Sequence, residues 1–166
     1  MVRKLTAIVL VLGLLLCCGC SSERTRWSNE SISSLTGVDV SKAETRTVIN
    51  NYDGGKGACY ISMTFGDDAC LAQIGNNADW NKLPLTDNLT AIVYGTDSAA
   101  PYISFDDSKT AAIPLVENGY YFFADRHGDS SDAKNDGDIL NRDSISLTVV
   151  IYNTDTNTLY YLDLDT

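Results

Sequence analysis

Residues 144–164 read Ser144-Ile-Ser-Leu-Thr-Val-Val-Ile-Tyr152, then Asn153-Thr-Asp-Thr-Asn157, then Thr158-Leu-Tyr-Tyr-Leu-Asp-Leu164. The first run places Ile145, Leu147, Val149 and Ile151 on one side of an extended chain, the five central residues are turn formers, and the last run is again β-branched and aromatic. Alternation of period two on either side of a polar turn predicts a β-hairpin. Upstream, Ala58-Cys-Tyr-Ile-Ser-Met-Thr-Phe65 alternates strictly, with Cys59, Ile61, Met63 and Phe65 on one face. The β-branched Thr45–Tyr52 precedes it across Asp53-Gly-Gly-Lys-Gly57, which predicts a second hairpin. Gly119-Tyr-Tyr-Phe-Phe-Ala124 adds a strand whose aromatics face both ways.

Two helices are expected between these strands. Asp67 or Asp68 is placed to cap a segment carrying Cys70, Leu71 and Ile74 and ending near Gly75, and Asp87 to cap Leu89–Gly95, although the β-branched content of the latter fits a strand equally well. Strands at both ends and helices in the middle predict an α+β fold: one domain over 35–166, mainly an antiparallel sheet with one or two helices packed on one face.

The chain has 166 residues, with 12 Lys+Arg, 22 Asp+Glu and a formal charge of -10. A single core suits this size. A sequence pI near 4.3 with no basic run lacks the footprint of a nucleic-acid partner, since phosphate backbones are held by clustered Lys and Arg.

The amino-terminal residues differ from the rest. Arg3 and Lys4 precede Leu5–Leu16, in which Thr6 is the one clearly polar residue. A run of this length is too short to span a bilayer, which takes about 20 apolar residues, and matches a secretory signal. Leu16-Cys17-Cys18-Gly19-Cys20-Ser21-Ser22 resembles the lipobox of bacterial lipoproteins, in which a small residue precedes a cysteine that is lipidated and becomes the first mature residue. Cys20 takes that position, with Gly19 before it, and Cys17 stands where the pattern usually has Leu. The alternative is an ordinary cleaved signal with incidental cysteines. The resemblance implies that residues 1–19 are removed and that the chain sits outside the cytoplasm on a bacterial membrane. Two acyl chains of the palmitate kind, at about 0.8 kcal/mol per buried methylene, hold such a protein stably. Removing residues 1–19 takes away two cations and no anion, leaving 147 residues with a charge of -12. Residues 20–34 then read as a polar tether. The phrases Tyr120-Tyr-Phe-Phe-Ala-Asp-Arg-His127, Leu140-Asn-Arg142 and Ile151–Tyr161 resemble a group of small uncharacterised bacterial lipoproteins, a likeness that brings no activity or site with it.

Chemistry is sparse in the mature part. Cys59 and Cys70, both expected on the inward face, are a candidate disulfide, which in an oxidising compartment would stabilise by about 3 kcal/mol; the alternative is two buried thiols. The chain has one His, and no G-x-S-x-G, S-x-x-K or H-E-x-x-H pattern occurs, so no catalytic residue is assigned. Asp125-Arg126-His127, where a strand enters a long loop, is a candidate binding trio, with an ion-paired strand end as the alternative. Trp80, and Trp27 with the nine tyrosines, are candidates for a stacking platform or for plugs at the core edge. The acidic stretch 128–143 invites calcium through Asp132, Asp136, Asp138 and Asp143. Lys134 stands, however, where an EF-hand loop needs an oxygen ligand. Apart from that calcium, no cofactor is expected. The partners expected are a membrane, through the anchor, and an envelope protein or small ligand. The rival functions are an envelope enzyme using His127 with an acidic partner and a calcium-ordered structural domain.

Overall fold

The computed structural model describes residues 26–166. The Cys20 anchor, the signal and the first part of the tether lie outside the described residues. Six strands form one antiparallel sheet: β1 (Thr45–Asn50), β2 (Gly57–Thr64), β3 (Trp80–Lys82), β4 (Gly119–Asp125), β5 (Ser146–Asn153) and β6 (Thr158–Asp165). Their spatial order is β1-β2-β6-β5-β4-β3, so the carboxy-terminal strand lies in the middle, between the two parts of the sheet laid down earlier in the chain. Three helices accompany them: α1 (Asn29–Thr36), α2 (Ala69–Gly75) and α3 (Asp87–Tyr94). The protein is a single α+β domain, as the strand and helix pattern predicts.

Both predicted hairpins form. In β5–β6 the register pairs Leu147 with Leu164, Val149 with Leu162 and Ile151 with Tyr160. These side chains share one face and join Phe123, Leu89, Ile92 and Val93 in an apolar cluster. The alternate residues, Val150, Tyr152, Leu159 and Tyr161, face the other way and meet Cys59, Ile61 and Met63 of β2, together with Ile32 of α1 and Cys70 and Ile74 of α2. The sheet is thus covered on both faces, two helices sharing one and α3 lying on the other. The central strands are apolar on both sides for this reason: seven of the eight residues of β6 are buried.

Local chemistry explains the helix ends. Asp68 sits at the start of α2 without a side-chain cap, while Asp67 Oδ1 accepts the N–H of Ala69 at 3.0 Å. At α3 the cap is Thr86, whose hydroxyl accepts the N–H of Leu89, and the expected Asp87 falls in the first turn, where its charge still suits the helix dipole. Burial of Leu89, Ile92 and Val93 on one stripe makes this segment a helix rather than a strand.

The tether expectation is corrected from residue 26 onward. Ser28 caps α1 by accepting from Ser31 N–H, Gly37 closes it in the left-handed conformation (φ 67°), and Ile32 and Trp27 are buried in the core. The domain therefore begins near Arg26, not at residue 35. A polar octet, Asn-Glu-Ser-Ile-Ser-Ser-Leu-Thr, conceals the helix because one buried Ile32 and the neighbouring Trp27 supply most of its attachment.

Trp27→Ala should therefore lower stability by about 3 kcal/mol, the scale of aromatic truncation in a core. Urea denaturation checks this; a tether residue would show no change.

Candidate functional site

Four donors meet on the carboxylate of Asp163, which is fully buried in β6. Trp27 Nε1 donates to Oδ2 at 2.8 Å, Arg26 Nε lies 3.1 Å from the same oxygen, and Arg126 Nη2 (2.5 Å) and Thr148 Oγ1 (2.8 Å) reach Oδ1. Asp165, two residues on, accepts from Arg26 Nη2 at 2.7 Å and Tyr52 OH at 3.0 Å. The Arg26 guanidinium also lies over the rings of Trp27 and Tyr52, 5.5 and 5.1 Å from their centroids. Every oxygen of this cluster faces a donor of the same chain, which is the pattern of a clasp rather than of a site awaiting a substrate.

The candidate trio at the end of β4 is divided among different tasks. Asp125 is buried and ion-paired with Arg142 (Nη1–Oδ2, 2.6 Å) while its Oδ1 accepts the His127 N–H. Burial pushes its acidity down, but the Arg142 hydrogen bond, the His127 N–H and the Arg142 charge outweigh this and hold its pKa below the ordinary 3.8. Arg126 turns to Asp163 and to the carbonyl of Leu147. His127 is set apart from both, with Nε2 3.1 Å from Ser144 Oγ and Nδ1 accepting the Asp129 N–H at 3.3 Å. An acceptor at Nδ1 places the neutral ring's proton on Nε2, so the ring donates to Ser144 and offers it no lone pair. That is the reverse of what a general base requires. The nearest Asp129 oxygen is 3.9 Å away.

Trp80, for which a stacking platform and a plug at the core edge are the alternatives, is a core residue: it is buried, packs on Phe122 at a centroid distance of 5.9 Å, and its indole N–H donates to the Thr36 carbonyl at 2.9 Å. Trp27 is buried likewise. Cys59 and Cys70 share one apolar cluster as separate buried thiols, the second of the two alternatives. Burial above all, with the nearby charge of Asp163 for Cys59 and of Asp39 and Asp67 for Cys70, pushes both up to about 12. Such thiols are protonated and poor nucleophiles.

The acidic loop does not gather its carboxylates. Asp136 turns towards α3, accepting from Thr86 Oγ1, while its carbonyl accepts from Asn88 Nδ2 at 2.9 Å. Asp132 and Asp138 line a recess of about 30 Å³ together with Arg142, a resident cation. Asp143 lies beside His127 and Ser144 instead. Among the described residues no three His, Cys, Asp or Glu side chains group to hold a metal.

Sequence reasoning missed the cleft between β3, β4, the start of α3 and this loop. It measures about 270 Å³ and is lined by Asp79, Asn81, Thr86, Tyr121, Phe123 and Asp136, among others. Lys134 of the loop pairs with Asp79 across its mouth. The volume is close to the lower bound for small-molecule sites, and the lining is mainly polar with two aromatic faces. β3 has three residues, too few for a pattern to show, and the Lys134–Asp79 pair joins positions 55 apart in sequence.

Among the described residues no helix is long and apolar enough to cross a membrane. The chain matches no protein-family model, no curated protein and no solved structure.

Two measurements check this geometry. Asp125 and Asp165 both have pKa values held below the ordinary 3.8, Asp165 because hydrogen bonds from Ser146 and Arg26 and the Arg126 charge outweigh its burial. A depressed carboxylate contributes stability that is complete above its unfolded value and is lost as the pH falls through the folded one. The urea midpoint should thus hold through neutral pH and decline below about pH 4, and Asp125→Asn with Asp165→Asn should flatten that decline. For His127, long-range 1H–15N spectra of the neutral ring should show the Nε2–H tautomer; an Nδ1–H ring would contradict the arrangement drawn here.

Proposed function

We propose that this chain is a lipid-anchored extracytoplasmic protein of a bacterial envelope whose α+β domain works by binding a partner or small ligand rather than by catalysis. The observation that carries this reading is the occupation of its chemistry-bearing side chains by one another. Asp125, Arg126, Asp163 and Asp165 close ion pairs, the two thiols are buried, and the lone His127 donates to Ser144 instead of activating it. Among the recesses open to solvent, the small polar cleft under Tyr121 and Phe123 combines aromatic faces with polar side chains and suits a compact hydroxyl- or amine-bearing molecule that stacks on a ring and bonds to Asn81 or competes for Asp79 and Asp136. The anchor rests on Gly19-Cys20-Ser21-Ser22 and the apolar run before it. Arg26, six residues after Cys20, already belongs to the folded domain through its pairs with Asp163 and Asp165.

Expression of the full chain in a bacterium, followed by mass spectrometry of the amino-terminal peptide, should find a diacylglyceryl group on Cys20, and Cys20→Ser should release the protein from the membrane fraction. A soluble, unmodified product would refute the anchor. Ester, amide and phosphate hydrolysis should stay at background in wild type and in His127→Ala alike; turnover abolished by His127→Ala would refute the binding reading.

A further inference from the structure

We infer that β1 is a self-association edge: two copies of this chain join β1 to β1 in antiparallel fashion about Val48, making one continuous sheet of twelve strands. Among the described residues β1 is bonded only to β2, and all six of its residues are exposed, with Val48 45% and Ile49 44% accessible. Natural sheets guard such an edge with charge, proline, bulges or a covering element. Among the described residues no element covers it. Thr45-Arg-Thr-Val-Ile-Asn50 contains no proline and one charge, and Arg46 is turned away, its Nη2 donating to the Trp27 carbonyl at 2.5 Å. The opposite edge, β3, is three residues long and soon meets Pro84.

The choice of a second copy as occupant follows from register and charge. Asn51 N–H donates to the carbonyl of its partner Ala58, so Thr47 and Ile49, two and four residues back, turn their backbone groups to β2. The alternating residues Arg46, Val48 and Asn50 turn theirs outward. A two-fold axis normal to the sheet at Val48 pairs Val48 with Val48 of the second copy, Arg46 with Asn50 and Thr47 with Ile49. All three outward residues then meet outward residues, β-branched side chains face each other on both sides, and no like charges lie opposite. The domain as a whole is strongly acidic, and its copies repel. Residues 42–57 are the exception, with Lys42, Arg46 and Lys56 against Glu44 and Asp53, so this is the edge along which two copies approach with least repulsion. The same axis leaves Arg26 of both copies on one face of the joined sheet.

The test uses the full-length chain in mild detergent and its mass by sedimentation and native mass spectrometry. Wild type should be dimeric at micromolar concentration. Val48→Pro removes an N–H that β2 does not use and so leaves the fold intact, as circular dichroism would confirm, yet it should weaken association at least tenfold. Val48→Lys should act in the same direction and serves where the proline variant fails to fold. A monomeric wild type overturns the proposal, as does a dimer that persists in both variants, since its contact would then lie elsewhere, in the apolar leader or another face.

Discussion

A carboxylate with no exposed surface, Asp163, sits at the meeting point of three separately folded parts of the chain. Its donors come from the amino-terminal segment (Arg26, Trp27), from the residue after β4 (Arg126) and from β5 (Thr148), while β6 itself supplies the acceptor. Removing such a group from water is expensive, and only full hydrogen bonding with opposed charge makes it tolerable. The placement also locks register. Asp163 lies opposite Thr148 on one side and Cys59 on the other. A slip of β6 by one residue would turn the carboxylate onto the opposite face, among Leu147, Val149 and Ile151 of β5, and would send Leu162 and Leu164 the other way. The apolar residues make the sheet favourable; Asp163 makes one alignment of it far better than its neighbours.

The same charge governs what the nearby side chains can do. Cys59, directly across from Asp163, is held protonated by burial and by that anion, and Tyr52 and Tyr161 are pushed above their ordinary values first by burial and then by the same carboxylate. A reactive thiolate or phenolate needs positive surroundings that are partly wet. Arg26 and Arg126 provide positive charge, but both are directed into ion pairs. The clasp thus stabilises the fold in a way that silences the groups around it, and the accessible polar cleft is on the opposite side of the sheet, under Tyr121 and Phe123.

The elements legible in the sequence are those whose burial pattern is local. β2, β5 and β6 announce themselves because neighbours on both sides bury alternate residues, whereas α3, whose β-branched content fits a strand equally well, is settled only by the burial of Leu89, Ile92 and Val93 on one stripe. α1 was hidden by its polarity, and the role of Trp27 by the 136 residues separating it from Asp163. The candidate trio takes the form of the ion-paired strand end that was its alternative, for a related reason. Asp125, Arg126 and His127 are adjacent in sequence, yet successive strand residues point to opposite faces, so each finds a different partner. The acidic loop repeats the lesson: its carboxylates are close along the chain, but the loop winds past α3 and Arg142, which disperse them among three recesses.

With Cys20 acylated, as proposed, the clasp also fixes how far the head can move from its membrane. The six residues from Cys20 to Arg26 can span at most roughly 20 Å. An attachment point at residue 35 would have allowed more than twice that. Under that anchor, an acidic body repelled by anionic headgroups within a screening length of about 8 Å would favour the outer part of this range. Arg26 is on the face that carries α1 and α2, and the cleft under Tyr121 and Phe123 is on the other. The ion cluster that locks sheet register is therefore also the fastening through which the proposed anchor would hold the domain, since Arg26 is gripped by Asp163 and Asp165.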